Sequence, residues 1–221
     1  MSFGHRWAGN GFELGAEGYF SKKSTSSYLI SYRYSIPDLM EKMGFYAGIT
    51  PEYQDLTLKL DFDLNPKNHL SIIGLFGLSG IHFVSSEVSM VDMDQELLEK
   101  MDQRVAIDAK SFVLGATHSV DFTPKTKLTT LLSFVRSDTH MPVDTISKVQ
   151  PDAEWQTLWD EQALEDKYSI YSKLEHRFTY NSSIEAGVKY DLYNVNYLEK
   201  ESFSDERGIF TNVDQKGNFS L

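Results

Sequence analysis

Cysteine is absent from the 221 residues, so the chain has neither a disulfide framework nor thiolate chemistry. No run of about 18 apolar residues occurs, so no transmembrane helix is predicted. Residues 1–10 lack the apolar segment of a signal peptide. Basic tracts are missing too, and a formal net charge of −11 argues against a nucleic-acid partner. The length suits one large β domain or a piece of something larger.

Aromatic residues are abundant, with 12 Tyr and 14 Phe, which favours β-strands. The clearest strand pattern lies in Tyr53–Ser79. Apolar side chains occupy every second position from Leu56 to Leu64, and Asp, Thr and Lys fill the positions between them. Asn65–Asn68 predicts a turn, because its proline lacks a ladder donor and asparagine tolerates turn geometry. The stretch therefore predicts one hairpin in which Leu56–Leu64 has an apolar and an ionised face.

The same alternation recurs along the chain and predicts about eight strands. Besides the two strands of the hairpin, the predicted strands are Gly11–Phe20, Thr25–Tyr34, Ser111–Asp121, Leu128–Val135, Tyr168–Tyr180 and Ser183–Tyr197. Ser2–Trp7 is interpreted as the remainder of a preceding strand, and Gln215–Leu221 as the beginning of a ninth.

The connections between these strands alternate strictly between short and long. The short turns lie near residues 21–24, 65–68, 123–126 and 181–182. The long connections lie near residues 35–52, 80–104, 137–166 and 198–216. Within the long connections, helical patterns predict short helices at Asp38–Gly44, Asp92–Gln103 and Asp152–Asp166.

Strict alternation places every long connection at the same end of an antiparallel sheet. Short periplasmic turns and long extracellular loops are typical of outer-membrane β-barrels, and strands of about 10 residues suit a tilted bilayer crossing. One parity of several strands is charged, as a wet lumen requires. Those positions are Asp55, Lys59, Asp61, Asp63, Lys173, Glu175, Arg177, Glu185, Lys189 and Asp191. A soluble β-sandwich predicts the same alternation but places loops at both ends.

Two segments carry a family resemblance. They read GFELGAEGYFSKKSTSSYLISYRYSIPDLMEKMGF from Gly11 and PEYQDLTLKLDFDLNPKNHLSIIGLFGLS from Pro51. Together they resemble the early barrel of TonB-dependent outer-membrane receptors of the Bacteroidetes type. The match is specific over residues 11–79 and follows only the hairpin rhythm over 80–197.

The resemblance implies a fold, a location and a set of partners. Residues 1–221 would form one partial, antiparallel transmembrane β-barrel domain, covering roughly strands two to nine of 22. The plug domain and the remaining strands would belong to the full receptor, and TonB would act through that plug. The full receptor would import a siderophore, cobalamin, glycan or peptide across the bacterial outer membrane. Outer-membrane lipid and the nutrient ligand are the other implied partners, and no cofactor is implied.

No catalytic motif is present, so the chain is not expected to be an enzyme. The six histidines lack metal-ligand spacing, and we assign His118 and His176, which lie near short turns, to an interfacial or packing role. Asp92, Asp94 and Glu96 lack the spacing of a calcium loop. Six tyrosines are predicted to form aromatic girdles: Tyr28, Tyr32, Tyr34, Tyr190, Tyr193 and Tyr197.

Trp155 and Trp159 are the candidate ligand-binding residues. Their spacing of four would place both on one face of the predicted loop helix. They are interpreted either as a small loop core or as a contact for ligand at the extracellular mouth.

The sequence leaves two alternatives to a receptor section. One is a self-contained eight-stranded outer-membrane protein, since eight strands can close a barrel. The other is a soluble β-sheet carbohydrate-binding module.

Overall fold

The structure, a computed structural model, describes residues 2–8, 11–35, 50–85, 101–149, 152–204 and 210–220. They form one ten-stranded sheet in which each strand pairs with its neighbours in the sequence. The strands are β1 (Ser2–Ala8), β2 (Gly11–Tyr19), β3 (Ser27–Ser35), β4 (Thr50–Asn65), β5 (Asn68–Ser85), β6 (Met101–Thr123), β7 (Thr126–Ser147), β8 (Gln156–Thr179), β9 (Ser182–Ser204) and β10 (Phe210–Ser220).

Every pairing is antiparallel, so the all-β prediction is confirmed. Pairing over the described residues runs from β1 to β10 without joining these two strands, so this sheet is open. The described residues form ten strands: the eight that the sequence predicts, and Ser2–Ala8 and Phe210–Ser220, which pair with β2 and β9. The ninth strand predicted from Gln215 begins five residues earlier, at Phe210.

Tight turns lie where the sequence predicts them. Asn65 Oδ1 accepts hydrogen bonds from Lys67 N at 3.0 Å and from Asn68 Nδ2 at 2.9 Å. Thr123 Oγ1 accepts from Lys125 N at 3.2 Å in the β6–β7 turn. Side chains that bond their own turn in this way fix the register of a hairpin.

The extents predicted for three long connections are wrong. β5 continues to Ser85, β7 to Ser147 and β9 to Ser204, while β6, β8 and β10 begin within the predicted loops. Strands of 22–24 residues exceed the 9–11 needed for a bilayer crossing. The sheet therefore continues beyond the length that a membrane requires.

The helix predicted at Asp152–Asp166 is also wrong, because Gln156–Asp166 belongs to β8. Strands β7 and β9 lie on either side and pair with most of this segment. Backbone pairing on both sides overrides a weak helical preference. Met101–Gln103, the end of another predicted helix, is likewise strand. The rest of that helix and the turn at Asp38–Gly44 lie outside the described residues.

Cross-strand register gives the sheet two chemically different faces. We call the face that carries Leu58 the apolar face and the face that carries Lys59 the polar face. From Leu58, paired residues on the apolar face are Gly74, Leu114, Phe134, Tyr168 and Leu192. From Asp63, paired residues on the polar face are His69, Ser119, Thr129, Lys173 and Gly187. Period-two alternation thus holds across six strands.

A second packed layer is missing from the described part of the sheet. Val105 and Val143 are its only fully buried hydrophobic side chains. Large apolar side chains on the apolar face are instead exposed, including Leu132 and Val188. Contiguous exposed apolar surface of this kind marks a site of contact with a protein partner, a ligand or a membrane.

Candidate functional site: an apolar band between aromatic rows

The apolar face carries a continuous band of hydrophobic side chains. Across β2 to β9 it includes Leu14, Ile30, Leu58, Leu60, Ile72, Leu114, Leu132, Ile170, Val188 and Tyr190. No charged residue interrupts these positions. A groove between β6 and β9 is lined almost wholly by carbon, with Leu132 and Ile170 at its centre.

An aromatic row borders the band beside the short turns. This lower aromatic row consists of Phe20, Tyr28, Phe62, Phe122 and Phe178. The ring of Phe20 stacks on that of Phe62 with centroids 5.5 Å apart and lies 5.6 Å from the ring of Tyr28. His176 packs edge-on against Phe178 at 4.7 Å and lies 2.8 Å from Thr126 Oγ1, which supports its predicted packing role.

A second aromatic row borders the other side of the band. This upper aromatic row consists of Phe12, Tyr34, Phe76, Phe112, Phe134 and Tyr168. Phe134 links two of its neighbours, with ring centroids 4.9 Å from Tyr168 and 6.0 Å from Phe112. Phe12 lies 5.8 Å from Tyr34. Paired aromatic rings at these distances attract one another beyond simple burial.

Both rows run obliquely to the register of the sheet. The line of cross-strand partners that starts at Tyr34 on β3 reaches Leu164 on β8. The upper aromatic row crosses β8 at Tyr168, which is four residues nearer the β8–β9 turn. The line of cross-strand partners that starts at Phe62 on β4 reaches Ser172 on β8. The lower aromatic row crosses β8 at Phe178, which is six residues nearer the same turn. Each residue advances about 3.3 Å along a strand, and neighbouring strands lie about 4.8 Å apart. These offsets therefore incline each aromatic row by about 30–45° to the line of cross-strand partners.

The height of the band follows from the same geometry. On β6 the rows are at Phe112 and Phe122, and on β8 at Tyr168 and Phe178. Ten residues at about 3.3 Å each span about 33 Å along a strand, or about 25 Å perpendicular to the rows at about 40° of inclination. Outer-membrane barrels have apolar belts about 25 Å tall on strands tilted by about 35–45°.

Oppositely charged side chains form ion pairs on the polar face. Arg33 lies 2.8 Å from Asp55, Lys59 lies 3.0 Å from Asp61, and His69 lies 2.6 Å from Asp63. Lys173 contacts both Glu175 and Glu185 at 3.2 Å, and Lys189 lies 2.8 Å from Asp191. Apart from Arg33 and His69, these residues are among the charged positions that the sequence assigned to one face. Because they are partly exposed, each pair stabilises the sheet only slightly.

The structure separates the two candidate tryptophans. Trp155 precedes β8 and packs under Arg104, whose guanidinium carbon is 4.7 Å from the ring centroid. Arg104 pairs with Asp144, and their neighbours Val105 and Val143 point to the opposite face. Trp159 is the cross-strand neighbour of Val143 and lies on the same face as that valine. Trp155 lies with Arg104 on the other face, so the two tryptophans are on opposite faces of the sheet. The prediction of a shared helical face is wrong, because a bulge in an extended strand replaces the helix.

Trp159 belongs to an acidic aromatic patch on the polar face, beyond the band. Trp159 Nε1 donates to Glu199 Oε1 at 3.1 Å, and Tyr197 Oη donates to Glu199 Oε2 at 3.1 Å. Glu161 is the cross-strand neighbour of Glu199. Burial, together with these carboxylates, raises the pKa of Tyr197 to about 12. The patch can accept hydrogen bonds from a ligand beside two aromatic rings.

Four of the six predicted girdle tyrosines are not part of the aromatic rows: Tyr32, Tyr190, Tyr193 and Tyr197. Tyr193 pairs with Lys167 and Tyr197 with Ala163, which places both on the polar face. Tyr28, Tyr32, Tyr34 and Tyr190 lie on the apolar face as predicted. The phenylalanines that complete the rows were missed, although their parity in the sequence is the same as that of Leu58 and Ile170.

No protein-family model and no curated protein matches the chain. Within the described ranges, no helix is long and apolar enough to cross a membrane. In the same part of the chain, no group of three or more histidine or carboxylate side chains is arranged to hold a metal ion.

Proposed function

We propose that the chain forms part of the wall of an outer-membrane β-barrel, with the apolar face toward lipid and the polar face toward a wet lumen. The observation that carries this proposal is the apolar band bordered by two oblique aromatic rows. Its height of about 25 Å and inclination of about 30–45° match the belt of such barrels. The paired charges on the opposite face suit an aqueous interior.

We further propose that this wall belongs to a TonB-dependent receptor. The resemblance over residues 11–79 supports this reading, as do the extended strands that continue beyond the band. The role is nutrient import across the outer membrane, powered through a plug domain and TonB, without a catalytic step in this chain. The acidic aromatic patch around Trp159 is the proposed ligand contact, and Trp155 is assigned to packing with Arg104.

Cysteine labelling tests the orientation of the sheet, since the native chain contains no cysteine. Leu132 and Ser133 are adjacent in β7 and point to opposite faces. In phospholipid vesicles, we expect a membrane-impermeant maleimide to label Ser133→Cys readily. We expect Leu132→Cys to be protected, because the apolar face is covered by acyl chains.

Denaturation in urea and detergent supplies the control, since both variants should then react equally. Similar labelling of the two variants in vesicles, with the protein recovered in the aqueous fraction, would contradict a membrane role. That outcome would favour a soluble β-sheet module.

A further inference from the structure

A polar pocket lies on the apolar-face side of the sheet, directly beyond the upper aromatic row. Its volume is about 350 Å³, within the range of about 300–1,000 Å³ typical of small-molecule sites. Its lining includes Tyr34, Glu52, Gln54, Asp108, Lys110 and Asp138. Tyr34 also belongs to the upper aromatic row, so the pocket adjoins the edge of the band.

Gly80 leaves the space at the base of this pocket. Its strand neighbour on β6 is Asp108, and a Cβ at Gly80 would lie 3.0 Å from Asp108 Oδ1. The same Cβ would lie 3.7 Å from His82 Nε2. Any larger side chain at this position would push the Asp108 carboxylate or occupy the cavity.

The polar groups around the pocket leave room for a ligand hydroxyl. Lys110 Nζ is 3.9 Å from Asp138 Oδ2, which is an ion pair but too long for a direct hydrogen bond. A hydroxyl between them can accept from the ammonium and donate to the carboxylate, as a bridging water does. Tyr32 Oη donates to Gln54 Oε1 at 3.0 Å and so fixes an amide that lines the pocket.

The charge of the lining selects among polar ligands. Glu52, Asp108 and Asp138 contribute three carboxylates, and Lys110 contributes one ammonium. The imidazole of His140 contacts Asp160 Oδ1 at 2.7 Å, and that of His82 contacts Asp108 Oδ1 at 3.2 Å. A bare phosphate would be repelled by this excess of negative charge. Sugar hydroxyls, by contrast, donate to carboxylates and accept from lysine and amide groups.

We propose that the pocket binds the sugar headgroup of a glycolipid in the outer leaflet. The inference rests on the proposed function, because only a lipid-facing apolar band places this pocket at headgroup level. A sugar in the pocket lies beside Tyr34, and its acyl chains follow the band below. Tethering in the bilayer keeps such a headgroup at a high local concentration beside the pocket.

The test uses the whole chain in phosphatidylcholine vesicles that contain a small fraction of monoglucosyl diacylglycerol. After gentle detergent extraction, mass spectrometry measures the glycolipid retained per chain. Gly80→Val fills the pocket and Lys110→Gln removes its ammonium. Gly74→Val is the matched control, because Gly74 lies on the same strand and face but within the band, where a Cβ has ordinary contacts.

We expect glycolipid retention to fall about tenfold in each pocket variant and to remain unchanged in the control. Tenfold corresponds to about 1.4 kcal/mol, the lower end of a hydrogen bond to a charged group. Lys110 is largely exposed, so Lys110→Gln should fold even if Gly80→Val does not.

Equal retention by the native chain and Lys110→Gln would overturn the proposal. Equally effective displacement by free methyl glucoside and by glycolipid would also overturn it, since the pocket would then be a site for soluble sugar. Protection of Leu132→Cys without glycolipid retention would reject this inference alone. Labelling of Leu132→Cys in vesicles would reject the proposed function as well.

Discussion

At the residue scale, a charged substitution at Val188 tests whether the apolar face contacts lipid or water. It lies near the middle of the band, pairs with Ser172 and is 69% exposed. In a water-soluble sheet, arginine at so exposed a site would change stability by only about 0.5 kcal/mol or less. At the middle of a bilayer the same charge costs about 2–4 kcal/mol.

We therefore expect Val188→Arg to lower the free energy of unfolding from lipid by about 2–4 kcal/mol. Urea titration of the vesicle-bound chain measures this. Val149→Arg is the control, because Val149 is similarly exposed at 68% but lies beyond the band. Equal effects of the two substitutions would show that Val188 does not face lipid.

Residue identity predicted the faces better than it predicted the contacts. The parity of Leu58, Lys59 and their neighbours assigned each side chain to the correct face, since successive strand residues alternate strictly. The same reasoning could not place Trp155 and Trp159, because a bulge between Val143 and Asp144 shifts the register there. A bulge adds one residue to one strand and leaves no reliable pattern in a single sequence.

At the scale of the secondary-structure element, the β4–β5 turn fixes the central hairpin. Asn65 accepts two hydrogen bonds within this turn, from Lys67 N and from Asn68 Nδ2. We expect Asn65→Ala to lower the free energy of unfolding by about 1 kcal/mol, as a net loss of a side-chain hydrogen bond does. The urea midpoint of the chain measures this change.

Lys67→Ala is the matched control for that turn. It retains the Lys67 carbonyl that accepts from Asp121 N at 2.8 Å and removes only an exposed side chain. We expect no change in the midpoint. A loss as large as that of Asn65→Ala would mean that the turn depends on the lysine rather than on the asparagine.

The lengths of the strands could not be predicted from local sequence. The segment Gln156–Asp166 contains good helix formers, yet it is a strand because β7 and β9 offer backbone partners on both sides. Local propensity is weak beside two ladders of hydrogen bonds. Arg136 supports this extension with two hydrogen bonds to Asp166, at 2.6 and 2.7 Å, just above Phe134 and Tyr168.

At the scale of the whole molecule, the open sheet leaves β1 and β10 without partners on their outer sides among the described strands. Unpaired backbone groups cost several kcal/mol each in hydrocarbon, and free strand edges favour pairing with another chain. We therefore expect the purified chain to associate in detergent micelles. Light scattering after size exclusion should show more than one copy per micelle, with the fraction rising with concentration.

A strictly monomeric chain at all concentrations would contradict edge pairing between copies. Heat-modifiable mobility in a gel would then indicate that the ten strands close on themselves. That result would favour a self-contained outer-membrane protein over a section of a larger receptor.

The sequence by itself determined the all-β class, the positions of the tight turns and the division into an apolar and a charged face. Each of these follows from local rules: the two-residue period of a strand and the backbone preferences of proline and asparagine. Only the tertiary structure decided how far the strands extend, which rings form the two rows and how the rows incline to the register. Those properties depend on the stagger between strands, which arises when the whole sheet pairs and not within any one segment.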